Sequence, residues 1–146
     1  MPTHDTSTLS VTGRCHCGAV QLRATVDRSR VFVCHCSDCQ VLTGSAFRVV
    51  VPALAGCCEV SGPVSSYARR AESGAVRLQV FCPTCGTPLM AQSADGQGLA
   101  TLRVGVLDQR ADLAPVAQLW QRSALPWMQG LHDLPACTQQ ELLTAR

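Results

Sequence analysis

Seven of the ten cysteines in this 146-residue chain fall into three short runs. A thiolate is both a metal ligand and a nucleophile, so the spacing inside each run decides which chemistry is open to it. Cys82-Pro83-Thr84-Cys85-Gly86 separates two cysteines by two residues and follows them with a glycine able to make a tight turn, the form of a metal knuckle. The competing reading is a redox-active pair. That motif opens a helix, and Gly86-Thr87-Pro88 cannot readily begin one. A knuckle supplies two ligands, whereas a closed tetrahedral site needs four. Cys15-His16-Cys17 is the complement: on a strand, residues i and i+2 share a face, so Cys15 and Cys17 can reach one ion while His16 points away. The plainer alternative makes Cys15 and Cys17 core residues, in a polar stretch flanked by Gly13 and Gly18.

The remaining run is Cys34-His35-Cys36-Ser37-Asp38-Cys39. The same geometry puts Cys34 and Cys36 on one face, with Cys39 returning on the following turn. Three thiolates leave one tetrahedral position open, and openness separates catalytic from structural metal sites. His35 is expected to face away, as a proton donor or as a satisfied buried histidine. The bland alternative adds a fourth ligand from outside the run, with Cys57, Cys58 and Cys137 as candidates, and makes a second structural site. Adjacent cysteines on a strand point to opposite sides, so Cys57 and Cys58 read as ordinary thiols, as does Cys137.

The elements that must position these runs read as mostly β. Val20, Leu22, Ala24 and Val26 alternate with polar residues, the period of a half-buried strand. Further strands are expected over Val31–Cys36, over Ala46–Val51 with Pro52 as its stop, over Val76–Phe81, and over Leu102–Val106. A short helix is expected over Ala114–Ser123, with Pro115 in its first turn and Pro126 beyond it. The sequence has no internal repeat and no linker-like shift, which predicts one domain over 11–136, a flexible N-terminus over 1–10 and a tail over 137–146. The expected class is a small, mostly β fold with irregular loops held by metal.

Composition sets limits on function. A chain of this length buries roughly two-thirds of its unfolded surface, and 47% hydrophobic with 15% charged residues argues for a globule rather than disorder. All 12 basic residues are arginine, so lysine chemistry is excluded. A net charge of +2 and 4% aromatics argue against nucleic acid, and no run of apolar residues is long enough for a membrane span. Met1–Ser10 contains His4 and Asp5 and no apolar stretch, unlike an export signal. A cytoplasmic location with reduced thiols is therefore expected, and clustered reduced thiols point to metal over disulfides.

Taken together, the three runs resemble the glutathione-dependent formaldehyde-activating enzyme family, to which the centromere protein V domain is related. The resemblance runs through Gly13-Arg14-Cys15-His16-Cys17-Gly18, Cys34 to Cys39 with Thr43-Gly44-Ser45, and Phe81 to Thr87. It continues through Val104-Gly105-Val106-Leu107-Asp108 and the stretch from Pro115 to Trp127. It implies a β-tent fold, a structural zinc on Cys15, Cys17, Cys82 and Cys85, and a second zinc on Cys34, Cys36 and Cys39. It also implies carbon–sulfur lyase chemistry on a small thiol such as glutathione, added to formaldehyde or eliminated from the adduct. Cys57-Cys58 and Cys137 depart from the family pattern. Arg48, Arg69, Arg70 and Arg77 lie between the clusters and are candidate forks for a substrate carboxylate, against the plainer reading of solvated surface. The rival function is a non-enzymatic zinc module that binds protein, with Trp120 and Trp127 as an exposed patch or, more plainly, as caps on the core. A homo-oligomer is left open.

Overall fold

The computed structural model describes residues 7–71 and 73–140. Within them the strands are β1 (Thr8–Arg14), β2 (Gln21–Asp27), β3 (Phe32–Cys34), β4 (Arg48–Ser61) and β5 (Ser65–Arg70). They continue with β6 (Val76–Phe81), β7 (Pro88–Ser93), β8 (Thr101–Arg103) and β9 (Ala117–Leu119), and α1 (Ser37–Thr43) joins β3 to β4. The fold is mostly β, as the alternation along the chain requires. β1 takes up Thr8, Leu9 and Ser10, which the sequence reading left in the terminal segment.

The sheet runs in the order β1-β2-β4-β8-β7-β6-β5, with β3 on β4 and β9 on β3. β4 is the hinge of this arrangement. Its first residues pair with β3 on one edge (Cys34 opposite Arg48) and with β8 on the other (Val50 opposite Arg103), and its last residues pair with β2. Pro52 was expected to stop this strand, yet β4 continues through it. The reason is local. Pro52 falls between the part of that edge paired with β3 and the part paired with β2, where the missing N–H costs no ladder bond.

Leu22, Ala24 and Val26 of β2 point inward and meet Val11, Val51, Leu89, Leu102, Leu107 and Leu113 in one core. Each leucine buried in full contributes about 1.5–3 kcal/mol. Cys15 and Cys82 belong to the same core, so the first thiol cluster is rooted in packing. Gly13 allows β1 to cross Leu107 closely: a side chain there would come within 2.6 Å of the Val106 carbonyl oxygen.

Three expectations give way. The helix expected over Ala114–Ser123 is instead the parallel strand β9, a left-handed Trp120 (φ 57°) and a 3-10 turn over Gln121–Ser123. The edge of β3 claims this segment, through Val116 N–H to Val31 O and His35 N–H to Leu119 O. The Leu102–Val106 strand ends at Arg103 and tightens into a 3-10 turn over Val104–Val106. The Val31–Cys36 strand ends at Cys34, because α1 begins immediately after Cys36.

Candidate metal centres

All ten cysteines are free thiols, and seven of them gather into two groups. Cys15, Cys17, Cys82 and Cys85 form one, and Cys34, Cys36 and Cys39 form the other. The sulfurs within each group all lie within 4.8 Å of one another, and either group could hold a metal ion. Cys57, Cys58 and Cys137 belong to neither group.

The four-thiol group joins two loops. Cys15 and Cys17 lie in the turn after β1 rather than on a strand, so the expected alternation of faces is not what aligns them. The turn itself does: Gly18 at φ 81° donates to Cys15 O, and Cys15 N–H donates to Val20 O. The Cys82–Cys85 loop uses the same device, with Gly86 at φ 77° donating to Cys82 O. Thr87 Oγ1 ties the loops, accepting from His16 N–H at 3.0 Å and lying 3.1 Å from Cys85 Sγ. The Sγ separations are 3.6 Å for Cys15–Cys17 and 3.8 Å for Cys17–Cys82. A tetrahedron on zinc–sulfur bonds of ~2.3 Å has an edge of roughly 3.8 Å, so these residues fit such an ion.

The protons are unevenly held among these four. The Thr87 hydroxyl, with the backbone amides of Cys17 and Thr87, draws Cys85 down to about 5. Burial resists ionisation of Cys15, but the Val20 amide 3.2 Å from its sulfur and its neighbouring thiols bring it below the usual thiol range. The Ala19 amide favours ionised Cys17, but Cys15 and the other sulfurs outweigh it and push Cys17 up to about 11. The protein itself thus favours the thiolate at Cys85 and Cys15 and disfavours it at Cys17, which a bound cation would ionise.

The three-thiol group sits where β3 runs into α1. Cys34 is the last residue of β3 and is buried. Cys36 is the N-cap of α1, its sulfur accepting from Cys39 N–H at 3.3 Å, and Cys39 follows in the first turn. The three sulfurs converge, but through a strand end and a helix start. His35 faces away into the interior, 1% exposed, with Nε2 2.7 Å from Gln118 Oε1 and its ring 6.0 Å from that of Phe47. The plainer reading of a satisfied buried histidine holds for Nε2 only, since Nδ1 is buried without a partner among the described residues.

Cys34 and Cys39 open onto a cleft of about 170 Å³ on one face of the sheet, walled by Arg48, Arg69, Arg77 and Arg103 with Gln79 among them. Strand register assembles the wall: Arg48 lies opposite Cys34, Arg103 opposite Val50, and Gln79 opposite Ala91. Arg69 forms an ion pair with Asp38 of α1, which leans the helix over the cleft. Burial pushes Cys39 up to about 12, and the Cys36 and Cys34 sulfurs act in the same sense. Burial also raises Cys34. Cys36 is lowered: burial opposes this, but the Cys39 amide and the neighbouring thiols overcome it.

Of the arginines singled out from the sequence, Arg48, Arg69 and Arg77 reach the cleft. Arg70 does not; it is exposed and donates to Gly74 O at 3.0 Å. Arg103 and Gln79 escaped notice. The alternation in Val76–Phe81 places Arg77 and Gln79 on one face, but nothing local shows that this face meets the cysteines. A larger cleft of about 460 Å³ lies over β1, β2 and the end of β4 and contains no cysteine. The chemistry points to the smaller one. No helix among the described residues is long and apolar enough to cross a membrane.

Comparison with known proteins agrees with this geometry. The model of the glutathione-dependent formaldehyde-activating enzyme family matches residues 10–123. An uncharacterized lyase of Schizosaccharomyces pombe is 27% identical over 85 residues, 58% of this chain and 59% of the relative. The chain thus spans about three-fifths of that relative's length. A Rhodobacter sphaeroides protein of known crystal structure shares the fold, with a TM-score of 0.57 and 22% identity over 73% of this chain and 98% of that one. With the family model covering well over half of its residues and both thiol groups, this chain belongs to the glutathione-dependent formaldehyde-activating enzyme family.

Proposed function

We propose that this protein is a zinc-dependent carbon–sulfur lyase-type enzyme that forms or cleaves the adduct of a small thiol, such as glutathione, with formaldehyde. Cys34, Cys36 and Cys39 are its catalytic cluster, and Cys15, Cys17, Cys82 and Cys85 hold a structural ion. The observation that carries this reading is that the three-thiol group faces an arginine-walled cleft, while the four-thiol group closes on itself. Zinc on three thiolates supplies an open position that keeps a substrate thiol ionised at neutral pH.

The chain's own residues do the rest. β3 and the first turn of α1 fix the three sulfurs at the edge of a cleft open to solvent. Arg77, without a carboxylate partner among the described residues, offers a fork to a carboxylate of a glutathione-like thiol, while Arg69 is held by Asp38. In the forward direction the thiolate sulfur bonds to the formaldehyde carbon, the carbonyl π pair moves onto oxygen, and that oxygen takes a proton from solvent. Cleavage is the reverse: the hydroxyl loses its proton, the carbonyl re-forms, and sulfur leaves with the bonding pair.

Thiols add to formaldehyde unaided, so the test is a rate. Exchange spectroscopy on S-hydroxymethylglutathione with zinc-loaded protein should show exchange well above the spontaneous rate, lost at least 100-fold in Cys39→Ser. Exchange no faster than in buffer sinks the proposal. One observation favours a second reading, a protein-interaction module: Trp120 and Trp127 are exposed rather than capping the core, at 48% and 56%, along with Leu119, Leu131 and Leu134.

A further inference from the structure

Arg48 and Arg103 are 6% and 8% exposed, and neither has a carboxylate partner among the described residues. Their guanidinium groups converge on one neutral atom, Gln79 Oε1, 3.2 Å from Arg48 Nη1 and 2.7 Å from Arg103 Nη2. The Nε–H of each is buried without an acceptor. Burial and the repulsion of Arg48 push Arg103 down to about 9. An arginine nevertheless stays protonated, so the arrangement calls for an anion from outside the chain.

The three thiols do not meet that demand alone. Ionised around a divalent cation they carry one net negative charge, and a bound substrate thiolate adds a second. Against those two stand the three guanidinium groups of Arg48, Arg77 and Arg103, all in the same cleft. Arg69 is neutralised by Asp38, while Arg77 reaches only the Thr101 hydroxyl, at 3.5 Å. One positive charge is left, the match for one carboxylate. Size indicates whose carboxylate it is. A cleft of about 170 Å³, adjoining a second hollow of about 180 Å³ that shares Leu42, Arg48, Gln79 and Arg103, lies at the low end of the roughly 300–1,000 Å³ that encloses a drug-sized ligand. Arg48 and Arg103 are nearly buried between the two hollows and can be reached only by a small inserted group, which suits the smaller reactant.

We propose that Arg48 and Arg103, bridged by Gln79, form a carboxylate subsite in the floor of the three-thiol cleft, and that the carbonyl compound reacting there is a small oxo-acid of the glyoxylate class rather than an uncharged aldehyde. This rests on the lyase reading above and narrows its substrate. The thiolate sulfur bonds to the aldehyde carbon, the π pair moves to the carbonyl oxygen, and that oxygen takes a proton from solvent. The carboxylate stays ionised on the two guanidinium groups throughout.

The probe is oxamate, which has the shape and charge of glyoxylate and an unreactive amide, titrated into zinc-loaded protein by calorimetry. Saturable binding is expected, at least tenfold weaker in Arg103→Met. Because that variant removes a buried side chain, Gln79→Glu is the second arm. It keeps both arginines and supplies an internal carboxylate, so it should raise the melting temperature, keep the metal content and abolish oxamate binding. Oxamate binding equally well to Gln79→Glu and wild type, or not at all, overturns the subsite. Displacement of oxamate by S-methylglutathione overturns the oxo-acid assignment, since the carboxylate held would then be that of the thiol. Exchange spectroscopy separates the two proposals. Oxamate binding with no acceleration of either adduct leaves the subsite and removes the lyase, while acceleration of the formaldehyde adduct alone, without oxamate binding, does the opposite.

Discussion

Around Cys15, Cys17, Cys82 and Cys85 the sulfurs face backbone amides and the Thr87 hydroxyl, whereas in the other group Cys36 accepts from the Cys39 amide while Cys34 and Cys39 share a cleft with guanidinium groups. The first set comes from two distant loops and is rooted in the core. The second comes from one strand–helix junction that touches the core at Cys34 and opens to a cleft. The same ligand chemistry thus serves two ends. Neutral dipoles line the first group, while beside the second the guanidinium groups outnumber the carboxylates that pair with them.

The largest expected effect sets the two groups directly against each other. Binding of a structural zinc contributes about 10–16 kcal/mol, as much as a domain's whole stability of about 5–15 kcal/mol. Cys82→Ser should therefore leave the chain unfolded by circular dichroism. Cys36→Ser should lose one metal per chain by mass spectrometry yet melt cooperatively, at a cost of about 1–3 kcal/mol. If both unfold, the second group is structural too.

A smaller effect loads strain on one side only. Gly62 sits at φ 98°, and a side chain there would come within 2.1 Å of the Ala19 carbonyl oxygen, in the loop that carries Cys15 and Cys17. Gly62→Ala should cost about 3 kcal/mol in urea unfolding while leaving the metal on Cys34, Cys36 and Cys39 in place.

The smallest effect is a matter of pH in metal-free protein. Only a thiolate is alkylated, and Cys85 is held at about 5 while Cys39 is pushed to about 12. At pH 7 the first lies above its midpoint and is ionised; the second lies far below and is not. Iodoacetamide mapping should find Cys85 modified ahead of Cys39, with the Cys85 rate falling only as pH drops through about 5. The reverse order would mean that the arginines, not the amides, govern the thiols.

The sequence carried the partition of the cysteines because knuckle spacing is a local property, and the alternation in β2 and β6 was equally local. What stayed hidden depends on partners. α1 lacks the usual oxygen cap, since the sulfur of Cys36 does that task, so its start was unmarked; only Asp38 in its first turn and Gly44 beyond its end hinted at it. β9 was read as helix because the edge of β3 that claims it lies far away in sequence. Arg103 and Gln79 were invisible for the same reason, as their approach to Cys34 runs through the register of β4, β8, β7 and β6.

The spacing of the ligands along the chain also sets an order in time. Cys34, Cys36 and Cys39 leave the ribosome almost together, but β3, which carries Cys34, is paired on both edges only after β4 and then β9 have followed. Cys17 must wait for Cys82, 65 residues later, and for the sheet between them to form. Neither thiol group is therefore framed until most of the chain has emerged, so metal starvation late in synthesis would leave both groups open on an unfinished fold.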